Sequence, residues 1–142
     1  MRDQENTLAP VLAIGPITIT ADNTPAAIDL QGFDAATILL AIGVGGITFD
    51  STNKIEFKLT HSDDDSTYTA VAQADVTDNV TVASGGIIKS LVAAHAAASV
   101  TKVGYVGGKR YLKLLADFSG THGTGTPICA QVVNGLPRLG PV

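Results

Sequence analysis

The feature that most limits what this chain can fold into is strict two-residue alternation in two separate stretches. From Lys54 to His61, Ile55, Phe57, Leu59 and His61 interleave with Glu56, Lys58 and Thr60. From Arg110 to Phe118, Leu112, Leu114, Ala116 and Phe118 share one side, while Tyr111, Lys113 and Asp117 lie on the other. A period of two sends successive side chains to opposite faces of a strand, so each stretch predicts a strand with one buried and one wet face. Leu115 breaks the second pattern, so that strand's outer face is not wholly solvated. Two buried faces of this kind need an opposing sheet, which predicts an antiparallel β-sandwich with Phe57, Leu59, Leu112, Leu114 and Phe118 inside.

Less regular strands are expected at Pro16 to Thr20, Ala26 to Leu30, Thr37 to Ile42, Tyr68 to Ala72, Val80 to Ala83 and Ile128 to Val133. With the two clear ones this makes about eight, on the spacing of an all-β sandwich or barrel. Gln31-Gly32-Phe33-Asp34, Asp63-Asp64-Asp65-Ser66 and Gly123-Thr124-Gly125-Thr126 supply the turns between them. One segment points elsewhere: Ser90 to Ser99 has the alanine content of a helix with Ser90 as its cap, the alternative being a long loop.

A chain of 142 residues needs only one core. The expected organisation is an arm over residues 1–15, a sandwich domain over 16–134 and an extended tail over 135–142. The apolar run that holds Leu8, Val11, Leu12 and Ile14 suits an arm laid across a neighbouring surface, and those four residues are its candidate partner contacts. The prolines and glycines after Asn134 disfavour a central strand.

Charged residues are 15% of the chain against about 25% in a typical domain. So sparse a charge, with apolar segments near both ends, predicts a closed homo-oligomer, a trimer ahead of a dimer on architecture alone. The nine Lys and Arg are scattered and the net charge is −4, which argues against nucleic acid as partner. No apolar run reaches the roughly 18 residues of a membrane span. The polar start lacks a signal-peptide pattern, so export by the usual route is not expected. The single cysteine, Cys129, excludes an intrachain disulfide.

Candidate chemistry is thin. His61 reads as a rim residue at a strand end, His95 as packed among alanines and His122 as part of a glycine loop. No Gly-x-Ser-x-Gly elbow accompanies them, so no enzymatic activity and no cofactor are expected. Asp63, Asp64 and Asp65 could offer oxygens to a hard cation but lack the glycine and distal glutamate of a calcium loop, and a turn in which aspartates bond their own backbone is the better reading. Gly104-Tyr105-Val106-Gly107-Gly108-Lys109-Arg110 fails as a phosphate loop because Arg110 stands where Ser or Thr is required. As a glycine turn between strands it leaves Lys109 and Arg110 as a small basic spot for a partner's carboxylate.

The run Asp29 to Thr37, the run Phe57 to Val71 with its Ser62-Asp63-Asp64-Asp65-Ser66 turn, and Gly104 to Leu112 together resemble small virion proteins of tailed bacteriophages, closest in type to jelly-roll capsid cement or decoration proteins. The resemblance spans roughly residues 26–142. It implies a jelly roll without cofactor, made in the host cytoplasm, forming a homo-oligomer on the outer surface of the capsid and stabilising it through the major capsid protein. The competing reading is a phage tail or receptor- or carbohydrate-binding sandwich, for which Tyr68, Tyr105 and Tyr111 are the stacking candidates.

Overall fold

The computed structural model describes residues 4–138. Nine strands follow in chain order: β1 (Leu8–Ile19), β2 (Ile28–Asp29), β3 (Phe33–Ile42), β4 (Lys54–Ser62), β5 (Thr69–Ala70), β6 (Ile87–Leu91), β7 (Ser99–Tyr105), β8 (Tyr111–Ser119) and β9 (Thr126–Pro137). Among the described residues helix is limited to single 3₁₀ turns at Glu5–Thr7 and Gln73–Asp75, and none is long and apolar enough to cross a membrane.

One sheet has the order β1-β9-β3-β7; the other has β2-β8-β4-β5, with β6 also paired to β4. The pairing is nested: β1 with β9, β2 with β8, β3 with β7, and β4 with β5 and β6, all antiparallel. A nested antiparallel ribbon wound into two facing sheets is a jelly-roll sandwich. Between the sheets lie Ile38, Leu40, Val103, Ala130 and Val132 from one side and Ile55, Phe57, Leu59, Leu112 and Leu114 from the other, all buried. Phe118 is partly buried against this core.

Several expectations change. Residues 8–14 are not an arm but the first part of β1, paired along β9 from Leu8↔Gly135 onward. Ala13 and Ile14 both turn into the core at a bulge opposite Ala130, because an extra residue in one strand rotates its neighbour to the same face. β9 runs on to Pro137, since the proline lies at the strand's last position, where no further ladder bond is needed. Residues 1–3 and 139–142 of the expected arm and tail lie outside the described residues.

The helix expected over Ser90 to Ser99 is absent: β6 ends at Leu91, and β7 begins at Ser99. Ala93, Ala94, Ala96, Ala97 and Ala98 are all exposed, so a helix there would have had no buried face to stabilise so short a segment. Val80 to Ala83 forms no strand; only an isolated Ala83↔Ile87 bridge joins it to β6. β6 and β7 are strands that the alternation does not announce.

Candidate functional site

The start of β1, the start of β3, the end of β7 and the end of β9 meet at one end of the sandwich, as the pairs Leu8↔Gly135, Ala35↔Gly135 and Ala36↔Tyr105 require. A cleft of about 340 Å³ opens there, walled by the loop after β2, the hairpin after β7 and Arg138. Leu8, Val106 and Leu136 are exposed at this end. Of the six expected partner contacts, the structure brings Lys109 and Arg110 together in this cleft, while Leu8 stands at the same end on edge strand β1, across the sheet from them. Val11 and Leu12 are exposed further along β1, whereas Ile14, only 5% exposed, belongs to the core and is no contact residue.

The basic spot is already answered from within the chain. Arg110 donates from Nε to Asp29 Oδ1 (2.9 Å) and from Nη2 to Asp29 Oδ2 (2.6 Å), a forked pair. The Arg110 hydrogen bond holds the Asp29 carboxyl below its ordinary value, and Asp29 raises the guanidinium in return. Lys109 Nζ lies 3.5 Å from Asp63, and Arg138 Nε donates to Asp34 at 2.5 Å. A partner's carboxylate would have to compete with these, so the cleft presents charges that are already paired, with exposed Val106 beside them.

Under the cleft floor sits a buried polar pair. Lys109 N–H donates to the Tyr105 hydroxyl oxygen (3.1 Å), and that hydroxyl lies 2.9 Å from His61 Nδ1. With its oxygen occupied, Tyr105 can give its own proton to Nδ1, which leaves the ring proton on Nε2, facing Asp75 Oδ2 at 4.0 Å. The rings meet edge to face with centroids 5.9 Å apart. His61 is therefore buried and not a rim residue, because β4 continues to Ser62 and keeps its inward period. Burial pushes the His61 imidazole down and the Tyr105 hydroxyl up, the nearby Asp75 opposing the first shift.

The aspartate triplet is a turn and its carboxylates diverge. Asp64 accepts from Ser66 N–H (2.9 Å), Thr67 N–H (2.8 Å) and Ser62 Oγ (2.8 Å), and those bonds lower its pKa to about 2. Asp63 faces Lys109, while Asp65, at φ 56°, takes the Tyr68 hydroxyl. Among the described residues no group of three His, Cys, Asp or Glu side chains converges to hold a metal ion. The tyrosines offered for sugar stacking are committed: Tyr105 is buried, Lys113 covers the Tyr68 ring at 4.0 Å, and Arg110 lies 4.8 Å from the Tyr111 ring centre. His122 is buried against Phe118 and Phe49 and faces the Ser119 carbonyl at 2.8 Å; His95 lies 3.3 Å from Ser99 Oγ.

The two outer faces differ sharply. On the β4–β8 face, Lys54 pairs with Glu56, and Lys58 with Asp117 and Glu56. The other sheet turns outward Leu12, Gln131, Leu39 and Lys102 in one row across its four strands, and Cys129, Ala41 and Val100 in the next. A shallow groove of about 550 Å³ continues this second face past Pro16, Ile17, Gly43 and Pro127.

Neither a protein-family model nor a curated protein sequence matches this chain. Two surfaces stand out on the molecule: the cleft end, and the sheet face whose described outward rows carry Lys102 as their single charge. The sequence pointed to the first through Lys109 and Arg110. It missed the second, because outward residues of β3, β7 and β9 were read singly and not as one face.

Proposed function

We propose that this chain is a structural virion protein, not an enzyme, that decorates a phage head and stabilises it by binding the major capsid protein. The observation that supports this best is the cleft end, where exposed Val106 lines the cleft with Lys109, Arg110 and Arg138, whose charges are paired, and exposed Leu136 lies two residues before Arg138. Exposed apolar side chains beside paired charges suit a protein-docking surface. The jelly roll makes that end rigid, since the hairpin carrying Val106 is tied through Tyr105 to buried His61. The major capsid protein is the partner on the strength of the sequence resemblance, and repeated weak contacts across a shell add through multivalency.

Mass action then requires that heads carrying the protein open at higher temperature than heads without it. Differential scanning of expanded heads, bare and with purified protein added back, measures this. Val106→Asp should weaken attachment while leaving the fold intact, because Val106 is 61% exposed. If the purified protein neither binds expanded heads nor raises their opening temperature, the reading is wrong and a tail adhesin replaces it.

A further inference from the structure

We propose that the sparsely charged outer face of the β1-β9-β3-β7 sheet is the seat of a second copy of this chain, packed face to face across a two-fold axis that lies in the interface. An exposed sheet face ordinarily alternates polar residues outward. Here the central strands β9 and β3 turn out Cys129, Gln131, Leu39 and Ala41, and Lys102, the one charge among the described residues of these rows, stands on edge strand β7. In a face-to-face pair Lys102 falls at the rim and no fixed charge is buried.

Pairing edge to edge is obstructed. β1 carries Pro10 and Pro16, which have no N–H to offer, and two register shifts. The free side of β7 is covered by residues 76–79: Val76 bridges Tyr105, Thr77 N–H donates to the Gly104 carbonyl (2.9 Å), and Asn79 bonds the Lys102 carbonyl. The face is what remains open.

Its size fits a weak but specific pair. Four strands spaced about 4.8 Å apart and about 27 Å long present about 500 Å² before side-chain relief, so two copies bury about 1,000–1,200 Å², the lower end for a biological interface. Symmetry selects the occupant. A cyclic trimer, expected from architecture alone, needs two different complementary patches on each chain, whereas a single continuous patch that can only match itself gives an isologous dimer. Gln131, whose amide makes no hydrogen bond among the described residues, lies near the middle of the face, where a side-chain amide can both donate to and accept from its symmetry mate. The surface is separate from the cleft end, so the pairing stands independently of head binding.

Light scattering across the micromolar range should give twice the 14.5 kDa chain mass, and Leu39→Lys should halve it, while Lys113→Glu on the opposite face leaves it unchanged. Labelling of Cys129 by a thiol reagent should slow as the unmodified protein is concentrated, a readout that survives even if Leu39→Lys fails to fold. A monomer at every concentration with constant Cys129 labelling overturns the proposal, as does an oligomer whose mass ignores Leu39→Lys in a folded variant and whose Cys129 stays reactive. A monomer that still binds heads would overturn the pairing alone. A dimer that binds none would overturn the decoration reading alone.

Discussion

His61 makes the cleft end sensitive to acid. Its ring is buried and held neutral, so its folded pKa lies below the value of about 6.5 that it has in an unfolded chain. Between those two values the unfolded state binds more protons, so stability is full above the ordinary histidine value and is lost as the pH falls towards the depressed one. Tyr105, Asp75, Lys109 and Asp63 are the groups that face it. Urea midpoints at pH 7.5 and 5.5 should show this loss, and His61→Gln should shrink it. Gly46 is constrained by space instead: a Cβ there would sit 2.0 Å from the Gly125 carbonyl oxygen, backbone against backbone. Gly46→Ala should therefore cost about 3 kcal/mol, the upper range for overpacking, as read by chemical denaturation. The inward places of Phe57, Leu59, Leu112 and Leu114 were legible because a period of two has one reading. His61 obeyed the same period, but a polar ring at an apparent strand end looks like a rim residue, and only the Tyr105 hydroxyl, 44 positions away, makes its burial affordable.

At the scale of elements, β1 is where sequence and fold part most clearly. A run broken by Pro10 and by Gly15-Pro16 reads as a strap, yet β9 accepts it as a bulged edge strand, and proline is tolerated on an edge. Deleting residues 1–14 should therefore unfold or loosen the domain and not merely free it from a partner. Ile14 alone is worth about 2–5 kcal/mol, against a whole-domain stability of about 5–15 kcal/mol. Thermal unfolding followed by near-ultraviolet dichroism would show a lost or strongly lowered transition. β6 escaped notice because its last two residues, Ser90 and Leu91, were taken into the alanine-rich segment that follows; the turn before it needs Gly86, at φ 76°, where a Cβ would lie 2.4 Å from the Leu59 carbonyl oxygen. β7 escaped because its outward Val100 and inward Thr101 invert the usual contrast, in keeping with the sparsely charged face it belongs to.

For the whole molecule, nested pairing sets the pace of folding. β1 can find β9 only after the chain between them is made, so the longest loop closure is required by an edge of the first sheet. Topologies dominated by such distant pairs fold in milliseconds to seconds, and stopped-flow refolding should place this chain there, well behind helical proteins of its size. The same nesting leaves Leu8 beside Gly135. Position along the chain is thus almost arbitrary in this molecule. A short glycine and serine bridge from the last residue to the first, with new ends cut between Ala93 and Ala94 on the exposed stretch after β6, would turn the most remote strand pair into a hairpin. Such a circular permutant should keep the native dichroism and refold faster than the parent, with new ends that emerge away from the cleft.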